Sequence, residues 1–334
     1  MRCFLQRALY TTGFTTVLTA SAIASPVSGG LLALVPPGCA IVAGFENGHG
    51  PHAGGRLLLT TPNNQLDLND WLALAGVDTG RRYDEVIEAA APDSTGQLTE
   101  HLLLVAGRFD RERIFGAAQQ NGGQTSQFEG ETVLVVTPFP REQRQMTGTR
   151  WLAILNNRTA LLGSPLLVQQ ALRRAMTHAE PDSELIGRLT PFRPDITSWN
   201  VIVSMETLFP NFKPGAPHSV WAHLLDEADV LLVGAHFGSR IRVDFIVSAG
   251  SGRETSFLTH KADLFRDMFT PETGQQGELS QGPQPQLENV SVERNQVQGS
   301  IQLSEKQFGD WIAHLGHVQA PREPERSTTI AGRD

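Results

Sequence analysis

The chain has 334 residues, 40% of them hydrophobic, which is enough to build one large domain or two ordinary ones and excludes a wholly disordered protein. The formal charge of -8 is spread without long single-sign blocks, so the chain carries no electrostatic footprint for nucleic acid or for an anionic membrane face.

No acidic residue precedes Glu46, whereas Arg2 and Arg7 are basic and residues 8–23 are apolar or hydroxylic. Residues 1–24 therefore read as a signal peptide, with Ala22-Ile23-Ala24 in the small-x-small form of a cleavage site and a mature chain starting near Ser25. The expectation is a periplasmic or secreted protein. The alternatives are a chain anchored in the membrane through an uncleaved N-terminal segment and an organellar transit peptide. Residues 29–45 are interrupted by Pro36, Pro37 and Gly38, and no later stretch reaches the roughly 18 apolar residues of a spanning helix, so no transmembrane helix is expected in the mature chain. Cleavage removes Cys3 and leaves Cys39, which excludes an internal disulfide and reads as a buried small residue entering a strand.

Residues 39–45 and 56–60 have the apolar character of strands, and Asp67 caps a helix that stops at Gly76. Residues 85–91 and 101–109 form a hairpin across Pro92-Asp93-Ser94-Thr95-Gly96, followed by a helix capped by Asp110 and ended by Gly122-Gly123. Short strands at 126–128 and 132–136 flank Glu129-Gly130. Residues 151–155 and 158–162 flank Asn156-Asn157, which tolerate the positive φ of a tight turn. Ser164 then serves as N-cap and Pro165 as the first helical residue of a helix burying Leu167, Val168, Ala171, Leu172 and Met176.

Residues 181–197, with three prolines, read as a connector. A strand at 198–204 follows, then a long loop with Pro210, Pro214 and Pro217 and a short helix at 220–225. Residues 230–237 and 240–247 pair across Gly238-Ser239, with Ile241, Val243, Phe245 and Val247 on one face and Arg240, Arg242 and Asp244 opposite, toward water. A helix is expected over 253–269 and a flexible insertion over 270–286. Residues 290–292 and 297–303 pair, and Ser304 with Gln307 has capping-box form, opening a helix that ends at Gly316. Residues 317–334 read as a disordered tail.

The fold class is thus α+β, antiparallel hairpins alternating with short capped helices. Its units are an N-terminal one over 25–180 and a C-terminal one over 198–316, and the series 85–178 and 198–316 look like two tandem similar units.

Chemistry is harder to find. His49 with His52 and His314 with His317 have no third ligand nearby, and neither H-E-x-x-H nor a cysteine pair occurs. The loop Gly44 to Gly50 follows a strand, but Pro51 and the lack of an ensuing helix remove the anion-binding terminus it would serve. Gly163-Ser164-Pro165 reads as a cap and Gly250-Ser251-Gly252 as a turn, not as nucleophile elbows. Asp67 with Asp70, and Asp226 with Glu227 and Asp229, are explained by caps and loops. The sequence nominates no catalytic, cofactor-binding or metal-ligating residue.

Three strings carry a resemblance: residues 34–44 (LVPPGCAIVAG), Gly107-Arg108-Phe109-Asp110 running into a helix, and residues 151–155 (WLAIL) before Asn156-Asn157. On these the chain resembles a family of uncharacterised exported bacterial proteins, over roughly residues 30–316. The resemblance implies export and the α+β fold, and brings no catalytic residue with it. The expected role is a non-catalytic binding or scaffolding module of the bacterial envelope with a protein or other envelope partner. The alternative is an enzyme whose site gathers dispersed loop residues around 46–52 and 209–218.

Overall fold

The computed structural model describes residues 29–46, 84–120, 123–136, 149–192, 195–203, 228–249, 259–260, 262–263, 286–293 and 296–308. They form a mostly antiparallel sheet with few helices, broadly α+β. The expected strand at 56–60, the helices at 67–76 and 220–225, and the tail lie outside the described residues, as do both histidine pairs and the loops at 47–52 and 209–218.

Among the described residues, twelve strands share one sheet. They are β1 (Ile41–Glu46), β2 (Glu85–Pro92), β3 (Leu98–Ala106), β4 (Gln124–Phe128), β5 (Glu131–Val136), β6 (Arg150–Asn156), β7 (Thr159–Gly163), β8 (Ser198–Val203), β9 (Ala228–Phe237), β10 (Ile241–Ala249), β11 (Gln286–Glu293) and β12 (Gln296–Leu303). Their spatial order is β11-β12-β10-β9-β8-β1-β2-β3-β7-β6-β5-β4. The helices are α1 (Gly29–Leu32), α2 (Arg111–Gln120), α3 (Pro165–Met176) and α4 (Ser183–Leu189), and residues 259–260, 262–263 and 305–308 are also helical.

Strands β2, β3, β6 and β7 are apolar almost throughout because both of their faces are covered. On one face Ile87, Ala89, Leu102, Leu104, Ala153 and Leu161 pack beneath α1, α3 and α4. On the other, Leu103, Val105, Leu152, Ile154 and Leu162 meet Ile114, Phe115 and Ala118 of α2. Strand β10 alternates instead. Val243, Phe245 and Val247 join a core with Phe308, while Arg242 and Asp244 lie opposite. That polar face is half-closed, since Arg242 donates to Asp195 at 2.8 Å and keeps only 14% of its side chain exposed.

Several local expectations meet the structure directly. The Asp110 carboxylate accepts from the Arg113 amide at 3.1 Å, and the capping box forms both ways, Ser304 N–H to Gln307 Oε1 at 2.7 Å and Gln307 N–H to Ser304 Oγ at 3.3 Å. Others differ. Asn156 and Asn157 do not take positive φ; the Asn156 side chain accepts from the Arg158 amide at 2.7 Å and a register shift at 154/156 completes the turn. Positive φ falls instead at Glu129 (50°) and Gly130 (91°), in the β4–β5 hairpin. Ser164 precedes α3 without a side-chain cap bond, its hydroxyl donating to the His101 carbonyl at 3.4 Å.

Residues 181–197, expected as a connector, carry α4, N-capped by Asp182, and bury Leu185, Leu189, Phe192 and Ile196 in the core. The described part of this segment stays on the protein because its apolar residues have a sheet face to cover. The expected insertion gives up residue 286 to β11, and the described part of 253–269 is helical at 259–260 and 262–263.

Candidate functional site

Two groups of polar side chains stand out: a buried row across the sheet and an open hollow at one end of it.

The buried row lies on the α2 side. His101 opposes Ala90 on β2, and the Ser164 amide donates to the His101 carbonyl at 2.8 Å, so β3, β7 and the first residue of β6 bring His101, Ser164 and Arg150 side by side. All three are buried. Burial, together with the neighbouring Arg150 charge, pushes the His101 imidazole down to about 4, so the ring is neutral at pH 7. Glu88, opposite Leu103, lies one step further along this face, and burial pushes its carboxyl up to about 7. Cys39 is packed against the core, and burial pushes its thiol up to about 12, which suppresses the reactive thiolate. His101, Ser164 and Arg150 are buried, and Glu88 and Cys39 are half-buried.

The hollow is accessible. It encloses about 300 Å³ and is lined by Arg108, Phe109, Asp110, Asn157 and Arg158. Its walls are held by backbone bonds that continue the β3–β7 pairing beyond the strands: Gly107 N–H donates to the Arg158 carbonyl at 2.9 Å and Phe109 N–H to the Asn157 carbonyl at 2.8 Å. Phe109, one of the lining residues, is buried. Arg108 and Arg158 are exposed on the rim, and neither guanidinium has a partner among the described residues. Asp110 contributes a carboxylate, which is partly engaged in capping α2. Two exposed guanidiniums beside such a concavity can bind a carboxylate or phosphate group through paired N–H donors.

Sequence reading treated Gly107-Arg108-Phe109-Asp110 as a cap and Asn156-Asn157 as a turn. The structure brings these two strings together, which their separation in sequence conceals. The loop starting at Gly44 is placed differently: Gly44 lies within β1, beneath the Trp199 indole. Among the described residues, no group of three or more His, Cys, Asp or Glu could hold a metal ion, and no helix is long and apolar enough to cross a membrane. Compared with protein-family models, curated proteins and solved structures, the chain matches none.

Proposed function

We propose that this is an exported binding or scaffolding module of the bacterial envelope, and that it engages an anionic group of its partner in the Arg108/Arg158 hollow. The carrying observation is the pair of exposed guanidiniums, without a partner among the described residues, on a concavity whose walls are fixed by backbone hydrogen bonds. A rigid site spends little ordering entropy on binding, and bidentate arginine contacts select carboxylate or phosphate. Export rests on Arg2, Arg7 and Ala22-Ile23-Ala24, which lie outside the described residues.

The binding test is a titration with inorganic phosphate and with acetate, read at the Arg108 and Arg158 Nε–H signals. Saturable shifts that disappear in Arg108→Ala/Arg158→Ala are expected, and absence of a shift up to tens of millimolar ligand would overturn the assignment. An unbiased substrate screen that detects turnover would replace the binding role with an enzymatic one. Fractionation with N-terminal sequencing tests export; an intact Met1 in the cytosol counts against it.

The reading extends to the chain's origin as two tandem similar units. Outward from the β1–β8 joint, one side runs β2, β3, β7, β6 and the other β9, β10, β12, β11, so each has a hairpin followed by a second hairpin inserted in reverse. Each series then passes into a helix, α3 or residues 305–308. On this reading the first unit begins at β1, and the β4–β5 hairpin is an addition to it. Superposing β1, β2, β3, β6 and β7 on β8 to β12 in an experimental structure tests it; failure of β6–β7 to fall on β11–β12 would refute a duplication.

A further inference from the structure

The two edges of the sheet are built differently. Strand β11 carries exposed Glu288 and Glu293, and its pairing with β12 slips between Leu287 and Asn289. Charge and irregularity of this kind discourage another strand from adding. Strand β4 has neither device. Its register with β5 is unbroken over five residues, and Gln124, Thr125, Ser126 and Gln127 are all exposed, with no charge and no proline among them. Phe128 at its end is already engaged, edge-on to Trp151 and beneath the Arg173 guanidinium. Among the described residues, the acidic groups that follow it pair within the chain: Glu129 with Arg173 at 2.9 Å and Glu131 with Arg111 at 3.7 Å.

We infer that β4 is a docking edge for the β4 strand of a second copy of this chain, joined antiparallel about a two-fold axis through Ser126. That register sets Ser126 against Ser126 and Thr125 against Gln127, so hydrogen-bonding side chains oppose one another at its centre, Gln124 falls opposite Phe128 at each end, and no like charges meet. An edge of small, neutral hydroxyl and amide groups offers no pocket to select a foreign sequence but is complementary to itself. The chain uses the same joint internally, since β1 and β8 are edge strands of the two strand series that pair antiparallel at the centre of the sheet. Five paired residues cover far less than the roughly 1,200 Å² at the lower end of standard interfaces, so the association is weak and concentration-dependent. The inference supplies one partner for the scaffolding role proposed above and rests on that reading.

Sedimentation velocity across a concentration series tests it. The wild-type mass is expected to rise from one chain toward two. Ser126→Lys and Ser126→Glu each place like charges on the axis and should remain monomeric, whereas an equimolar mixture of the two should recover the dimer. Far-UV circular dichroism confirms that both exposed-site variants are folded. A wild type that stays monomeric at the highest concentration, or dimers that persist equally in both variants, would overturn the inference. Substrate turnover by a chain that dimerises as described would instead overturn the scaffolding reading alone.

Discussion

At Gly44 the absence of a side chain is a packing requirement. Gly44 on β1 and Trp199 on β8 are cross-strand neighbours, and the indole occupies the space a Cβ would need. Trp199 is 1% exposed, so it has nowhere to retreat. Gly44→Ala is expected to cost about 1–3 kcal/mol through overpacking, measured by urea denaturation. A neutral result would mean that the ring shifts freely. Asp93 acts through hydrogen bonds. Its carboxylate accepts from the Thr95 hydroxyl (2.6 Å) and amide (2.7 Å), the Thr99 hydroxyl (2.8 Å) and the Gln97 amide (3.2 Å). The Thr95 and Thr99 hydroxyls foremost, then the Thr95 and Gln97 amides, hold it down at about 2. A depressed carboxylate contributes stability above its unfolded pKa and loses it as pH falls through the folded one. The deficit of Asp93→Asn relative to wild type should therefore be fully present above about pH 4 and shrink toward pH 2. A deficit independent of pH would contradict the role assigned to the charge.

Among the elements, β2 contains the clearest conflict between sequence pattern and environment. It packs Val86, Ile87, Ala89 and Ala90 into cores on both faces, yet Glu88 lies in the middle of the strand. Its carboxyl is raised from 4.5 to about 7 by burial, so the fold favours the protonated form. The sign is opposite to that of Asp93: stability falls as pH rises from about 4.5 through 7 and levels off beyond. Glu88→Gln keeps the shape and removes the charge. It should stabilise the protein relative to wild type at pH 8 and lose that advantage by pH 5, as read from chemical denaturation at both values. Parallel pH profiles for the two proteins would show that Glu88 titrates as an ordinary surface carboxylate. Helix α2 shows the converse, in which local chemistry and environment agree: Asp110 caps it, and Ile114, Phe115 and Ala118 bury one face.

Across the whole molecule, the decisive feature is that one sheet runs unbroken through β1 and β8. Segments that resemble separate units along the chain are therefore coupled by backbone hydrogen bonds and by a shared core containing Val42, Trp199, Val201 and Leu232. Leu172 of α3 is fully buried in that core, and Leu172→Ala should cost about 2–5 kcal/mol. If the sheet opens as one body, hydrogen exchange in this variant will quicken in β9 and β10 together with β3 and β7. Unchanged protection in β9 and β10 would identify two bodies that open separately.

Much of this architecture was legible locally. Hairpins at 85–106 and 150–163, the Asp110 cap and the Ser304/Gln307 box follow from short apolar runs, turn composition and capping, which act over a few residues. The exact turn conformations were not. Asn156 can serve equally as a positive-φ residue or as a side-chain acceptor, and the neighbouring strands select the second. Nor could the connector at 181–197 be recognised as core-forming, since prolines signal an interruption of regular structure but not whether Phe192 and Ile196 find a surface to bury.

The sequence alone determined the mixed α+β character, the order of most hairpins and helices, and the local caps, because those depend on contacts between near neighbours. The tertiary structure decided that β1 joins β8, that Gly107–Asp110 meets the turn at Asn157-Arg158 to form a cationic hollow, and that β4 is the outermost strand at one end of the sheet among the described residues. Each of these depends on pairing between residues far apart in the chain. Strand pairing satisfies the same backbone groups whichever strand is the neighbour, so the choice of neighbour is made by how side chains such as Trp199 and Phe109 pack once the whole sheet has assembled.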